Sequence, residues 1–296
     1  MRLIKPSVEI WDQEEGLNGV YKSIERAGRI CYKSSDKITE DSAEPFVDRM
    51  IKSLHHSMLE QGTVYLTIPR EDINYHIYLS KYRDNPYSEC RVAQTLEGIP
   101  VGSLYISTNY RVIIEHDWTD DLKYLCKPTK FHEKRISVHF TLDRAVSMEV
   151  LRHRKFSFAQ ESTRYCDYSK NKFNNEITYI IPIWLDVPET EYGTLLTPKD
   201  IQFKEYTNLS EKEFINHLLD SEYRYFNLLK LGWTPQQARQ VLPNALKTEL
   251  VMTGFISDWK HFIDLRYRGT TGKPHPDAFY LAEKLYNLFK EKGIEI

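Results

Sequence analysis

A chain of 296 residues, 41% hydrophobic and 28% charged, can bury one large core or two modest ones and is too apolar for disorder. Its 40 Lys and Arg against 42 Asp and Glu leave a net charge of -2, which argues against a surface built to grip polynucleotide and makes any nucleotide binding depend on a few placed arginines. No apolar run approaches membrane-spanning length, the start MRLIKPSVEIWDQEE lacks an apolar signal core, and Cys31, Cys90, Cys126 and Cys166 are scattered without a CxxC pair. The expectation is a cytoplasmic protein with reduced thiols and neither membrane nor nucleic acid polymer as partner.

In chain order, residues 3–11 read as an edge strand. Helical spacing follows over 17–32 and 43–54, and the β-branched apolar run over 63–68 reads as a strand. Residues 70–130 are rich in tyrosine and charge, with short helices expected near 71–83 and 119–126. Residues 136–142 alternate polar and apolar as a further strand and run into a helix ending near Arg152; 155–178 is polar and expected to be irregular, and 182–198 reads as loop. A helix over 211–231 carries Phe214, Leu218, Tyr225 and Leu229 and stops at Gly232. At Thr234-Pro235-Gln236-Gln237 a new helix starts: Thr234 caps, Pro235 fits the first position and Gln237 closes a capping box. Ser257 and Asp258 stand where they can cap a helix bearing Trp259, Phe262, Ile263 and Arg266 on one face. The pattern breaks over 269–276, and 277–292 is a last amphipathic helix ending at Gly293. Aromatics make up 13%, with 20 Tyr, a supply that suits stacking on flat ligands and core packing alike.

The common enzyme signatures are missing. There is no GxGxxG, and Gly269-Thr270-Thr271-Gly272-Lys273 is too short for a phosphate-binding loop of the GxxxxGK[ST] type. No HExxH or paired CxxC points to a metal, the adjacent His55 and His56 would diverge on most backbones, and no Gly-x-Ser-x-Gly elbow occurs.

One stretch carries more. Residues 149–165 read Glu-Val-Leu-Arg-His-Arg-Lys-Phe-Ser-Phe-Ala-Gln-Glu-Ser-Thr-Arg-Tyr. Arg152, His153 and Arg154 close a helical pattern, where the helix dipole favours one or two cations. That accounts poorly for Arg164 a short loop later, beside Gln160, Ser162 and Thr163. Arginine forks grip phosphate bidentately, and hydroxyls and loop amides complete such a pocket. Chemistry alone leaves an anionic-ligand site and a solvated loop both open.

Arg152-His153-Arg154, seven residues, then Ser162 is similar to the RHR-x7-S signature of flavin-dependent thymidylate synthases. Glu149 precedes it, and Gln160 and Arg164-Tyr165 fill the family's positions within and just after it. Ala238-Arg239-Gln240-Val241-Leu242-Pro243 resembles the family's AR-x-x-LP helix end, and Thr248 with the stretch through Phe262-Ile263-Asp264-Leu265-Arg266 resembles its penultimate helix. Upstream, Arg29-Ile30-Cys31-Tyr32 resembles its first helix and His56-Ser57-Met58-Leu59-Glu60-Gln61 a degraded H-x-[ST]-P-F-E-H segment.

The resemblance implies an α+β fold, a small antiparallel sheet with several packed helices, as one domain over 1–296 with an insertion at about 70–130. It implies reductive methylation of dUMP to dTMP, with methylene-tetrahydrofolate as carbon donor and FAD reduced by NADPH as hydride source, in a homotetramer that shares its sites between subunits. Carried over position by position, dUMP is bordered by Glu149, Val150, Leu151 and Arg152 and wrapped by Gln160, Glu161, Ser162, Thr163 and Arg164. Arg239 is a further nucleotide-binding arginine. FAD meets Ser57, Arg152, His153, Arg154, Gln160 and His261. Arg266 is held to the uracil ring as the catalytic residue, and no metal is implied. The chemistry agrees: raising electron density at uracil C5 without a thiol calls for a fixed cation that stabilises charge across N3 and O4. Cys166 lacks the Pro-Cys-His context of a thymidylate synthase nucleophile and reads as an ordinary thiol. Met58 and Gln61 replace Pro and His, Phe255 stands where many members place a flavin-contacting Asn, Glu161 occupies an often apolar position, and residues 69–135 intervene where compact members connect almost directly. The rival readings are hydroxymethylation of dUMP, a nucleotide- or flavin-binding module without turnover, and a basic-loop RNA binder, the last weakened by the net charge of -2.

Overall fold

The computed structural model describes residues 1–94, 100–170, 173, 175–185 and 209–296. The strand expected over 3–11 divides at Lys5-Pro6 into Arg2–Ile4 (β1) and Ser7–Trp11 (β2), which join different sheets. Proline brings no N–H to a ladder, so the chain changes partner there. Helix α1, Gly16–Tyr32, buries Val20, Ile24, Ala27 and Ile30 and ends on a left-handed Lys33, whose N–H donates to Arg29 O and Ile30 O. Helix α2, Ala43–Lys52, lies against it.

After a short 3₁₀ turn, His56–Gln61, come β3 (Thr63–Ile68), α3 (Tyr75–Arg83), β4 (Glu89–Gln94), β5 (Pro100–Asn109) and α4 (Tyr110–Glu115), then a second 3₁₀ turn, Thr119–Tyr124. The segment over 70–130 thus supplies two strands that extend β3 into an antiparallel sheet of order β3–β5–β4. This sheet shares a core with α1 and α2 through Val20, Ile24, Phe46, Val64, Leu66, Leu104, Ile106 and Tyr82. Arg111 and Glu115 pin the segment to Glu60 and His56.

The second antiparallel sheet has the order β2–β6–β9–β7, with β6 Arg135–Asp143, β7 Ser157–Gln160 and β9 Lys247–Phe255. Helix α5, Arg144–Val150, follows β6 directly. Strand β8, Thr178–Ile180, pairs in parallel with β1, and the helix expected over 211–231 is α6, Leu209–Lys230. The capping box forms at α7, Pro235–Ala238, where Gln237 Oε1 accepts from Thr234 N at 2.9 Å. Strand β9 leads straight into α8, Ile256–Arg266, and α9, Pro276–Glu291, closes the chain.

Two expectations are corrected. Residues 155–178 are not irregular throughout, because β7 pairs with β9 over four residues. Thr248 lies on β9, not on the penultimate helix, and that helix begins at Ile256. Strand β9 is covered on both faces, which erases the alternation that marks a half-buried strand. One face, with Val138, Phe140, Leu142, Leu250 and Met252, packs on Trp259, Phe262 and Ile263 of α8 and on Leu281, Leu285 and Phe289 of α9. The other meets Ala27 and Ile30 of α1. The loop expected over 182–198 falls mostly outside the described residues. No described helix is long and apolar enough to cross a membrane.

Candidate active site

Helix α5 is the hinge of the site. Asp143 caps it, Oδ1 accepting from Val146 N at 2.9 Å, and after Val150 the chain turns tightly, with His153 N donating to Val150 O and Phe156 N to His153 O. This turn sends His153 inward and leaves Arg152 and Arg154 exposed. The His153 ring lies 5.0 Å from Phe262 and 6.1 Å from His261, and Phe156 stacks edge-on to Trp259 at 4.6 Å.

Arg266 reaches this turn from α8. Nε donates to His153 Nε2 at 3.2 Å, Nη1 to Glu149 Oε2 at 2.7 Å and Nη2 to Glu149 O at 2.9 Å. Of five guanidinium donors, two remain for a ligand. Trp259, Phe262 and Ile263 are buried as the shared face predicts, and Arg266 emerges at their edge. Burial, reinforced by Arg266 and His261, lowers the His153 pKa to about 4, so the ring is neutral at pH 7 and accepts through Nε2 with Nδ1 protonated. A cavity of about 240 Å³ opens here, bordered by Arg152, His153, Arg154, Phe156, His261 and Arg266. None of its walls comes from residues 70–130.

A second cluster sits at the other end of α5. Gln160 Nε2 donates to Ser147 Oγ at 3.1 Å and to Thr248 Oγ1 at 3.2 Å, tying β7 to α5 and β9. Ser162 N donates to Cys31 O at 3.0 Å, which lays the 162–165 turn along the end of α1. Thr163 Oγ1 accepts from Arg239 Nη1 at 2.8 Å and Arg144 Nη1 at 3.3 Å. Arg164 is exposed, 5.4 Å over the Tyr165 ring, which itself leans on Tyr32.

The structure thus gathers most of the expected residues into two clusters joined by α5, and it places three elsewhere. Glu161 turns away from both clusters and is buried against Lys247 Nζ at 2.7 Å, in an ion network with Lys33 and Glu249. Burial by itself would lower the Lys247 ammonium, but Glu161 and Glu249 outweigh it and hold the pKa above the usual lysine range. The charge at an often apolar position is thereby explained: it completes an ion network. Ser57 is exposed on the His56–Gln61 turn and does not border the cavity. Val150 is buried beneath α5 in the main core and offers a ligand no side-chain surface. Gln61 Oε1 accepts from Thr253 Oγ1 at 2.7 Å and so binds its turn to the sheet, and the Phe255 ring faces the Arg135 guanidinium at 5.6 Å. Arg144 and Ser147 escaped the sequence reading. Their only signal was their place on the helix that leads into Arg152. Among the described residues no group of His, Cys, Asp and Glu could hold a metal ion.

The fold is α+β, and its two clusters bring arginines together with hydroxyl and amide groups. A family model described as thymidylate synthase complementing protein, Thy1, matches residues 122–292, and the chain belongs to that family. A flavin-dependent thymidylate synthase of Corynebacterium diphtheriae is 31% identical over 153 residues, 51% of this chain and 55% of that one. One of Mycobacterium avium is 31% identical over 134 residues, 44% of this chain and 49% of that one. The chain spans about half the length of the curated relatives it matches. Among solved structures, the UMP/dUMP methylase PolB from Streptomyces cacaoi, bound with 5-Br dUMP, overlaps 98% of this chain and 93% of that one at 15% identity and a TM-score of 0.44, a likeness too loose to bear on function.

Proposed function

We propose that the chain is a flavin-dependent thymidylate synthase that methylates dUMP to dTMP, drawing on methylene-tetrahydrofolate, NADPH and FAD, as a cytoplasmic homotetramer. The observation that supports this most is the pairing of two clusters by α5. The cavity at one end gathers Arg152, His153, Arg154, His261 and Arg266; the other end gathers Gln160, Thr163 and Arg239. Seven helical residues span about 10 Å, comparable with a mononucleotide from phosphate to the far edge of its base.

The residues present suit a flavin nucleotide. Arg152 and Arg154 are exposed and form no ion pair among the described residues, and between them stands a neutral imidazole. Such a set offers pyrophosphate two forks and a ring an uncharged donor. The cavity, at about 240 Å³, falls below the roughly 300–1,000 Å³ of ordinary small-molecule pockets, which suits a site that neighbouring copies would complete. FAD supplies the hydride that no side chain can. Arg266, fixed by Glu149 and His153, holds negative charge on uracil N3 and O4, while Arg239 and Arg164 hold the phosphate.

The test is a visible spectrum of the purified protein, followed by dTMP formation from dUMP with NADPH and methylene-tetrahydrofolate. A yellow protein that yields dTMP meets the proposal. A colourless one that cannot be loaded with FAD sinks it, and a product of hydroxymethyl mass assigns the neighbouring reaction instead.

A further inference from the structure

Arg144 opens α5, and nothing in its sequence context gave it a role. Its backbone N–H donates to Asn244 O at 2.9 Å and to Leu246 O at 3.1 Å, so the loop entering β9 fixes where the side chain starts. From there Nη1 reaches Thr163 Oγ1 at 3.3 Å. Arg239, just upstream of the same loop, reaches the same oxygen at 2.8 Å. Two guanidiniums therefore meet on one neutral hydroxyl, and neither forms an ion pair among the described residues.

Thr163 is 4% exposed, and accepting two N–H groups uses both lone pairs of its hydroxyl. What remains is the O–H, a donor with no acceptor in hydrogen-bond reach among the described residues. Everything that converges at this point donates. Like charges held close in a half-buried site repel, and a buried donor left unmet costs free energy. An anion seated between the two forks removes both penalties together. Two guanidiniums also balance a dianionic phosphomonoester more fully than a singly charged diester. A purely structural role for Arg144, pinning α5 to the 162–165 turn, would account for one bond but not for the second arginine on the same oxygen.

We infer that Arg144 binds phosphate directly, paired with Arg239 across Thr163, and that this end of the site is matched to a phosphomonoester dianion. The inference rests on dUMP being the nucleotide bound. It is tested on the whole assembled protein by measuring the affinities of dUMP and of deoxyuridine, which lacks the phosphate, for wild type, Arg144→Gln and Arg144→Lys. Loss of one charge-assisted contact predicts dUMP binding weakened about 10- to 150-fold in Arg144→Gln, with deoxyuridine little changed. Arg144→Lys keeps the charge without the fork and falls between. A packing role alone would weaken both ligands alike and leave their ratio unmoved. If Arg144→Gln does not fold, Arg144→Lys decides on the same ratio. A wild type that prefers dUMP, with variants that keep that preference in full, overturns the role of Arg144 alone. A wild type with no preference for dUMP over deoxyuridine removes the functional reading, and this inference with it.

Discussion

His153 is held neutral by its surroundings, and that has consequences for pH. Burial first, then the nearby Arg266 and His261, bring its pKa from the ordinary value of about 6.5 to about 4. Between those values the unfolded chain binds a proton that the folded chain does not. The stability contributed by the neutral ring is complete above about pH 6.5 and is lost as pH falls toward 4. Urea midpoints followed over that window should fall more steeply for wild type than for His153→Gln, and a ring that titrates near 6.5 by NMR in the folded protein would refute the account. Protonation also turns the acceptor of the Arg266 Nε bond into a donor and sets a second cation beside the guanidinium. Arg266 is the sharper case. If it stabilises charge that grows on the uracil ring, Arg266→Ala should lower single-turnover rates at saturating dUMP by roughly 10²–10³, and Arg266→Lys should recover part of that. Flavin binding should survive in both. Normal turnover in Arg266→Ala at saturating dUMP would leave this arginine only the structural task of joining α8 to Glu149.

The junction of β9 with α8 decides how well the cavity is formed. A Cβ at Gly254 would lie 2.4 Å from the Phe156 ring, which is wedged between the sheet and Trp259. Gly254→Ala should therefore destabilise the fold by about 1–3 kcal/mol and displace Phe156 toward the cavity that it borders. Thermal melts check the first effect. Flavin affinity in the folded fraction checks the second, and an unchanged melt would mean that the ring yields freely. This same junction shows how far sequence reading reached. The α8 face was legible because Trp259, Phe262 and Ile263 recur at helical spacing beside a polar surface. Strand β9 was not, since it is buried on both sides and Lys247, Glu249 and Thr253 carry its polar positions into an ion network and hydrogen bonds rather than solvent. The short β7 offers too few residues for any period to show. The arginine-rich turn was legible as chemistry, because cations, hydroxyls and an amide crowd a few positions. Its geometry was not: only the fold shows that Glu161 points into the Lys33–Lys247 network and that Arg144 reaches across to Thr163.

At the scale of the molecule, the segment over 70–130 completes the β3–β5–β4 sheet and supplies no wall of the α5 cavity, which is lined by the turn after α5 and by α8 beside the β2–β6–β9–β7 sheet. That frame presents two clusters at opposite ends of α5, each open to solvent through exposed cations: Arg152 and Arg154 at one end, Arg164 at the other. A site shared between copies would take the flavin wall, Arg152 and Arg154, from one chain and the nucleotide wall along α5, from Arg266 to Arg164, from another. Two impaired variants, assayed at limiting dUMP, then become informative when combined. Arg154→Ala damages the first wall and Arg164→Ala the second, and with dUMP held far below the weakened Kd of Arg164→Ala neither should support much turnover by itself. Unfolding the two together and refolding them as mixed assemblies puts both intact walls at roughly a quarter of the sites by random pairing. Activity at limiting dUMP should recover toward that fraction of wild type, while each variant refolded alone stays far below it. Walls that belong to a single chain predict no recovery at any mixing ratio, because every chain would then carry one lesion in its own site. Light scattering on the mixed sample must show the same assembly as wild type, so that an absence of activity reports on the site and not on a failure to associate.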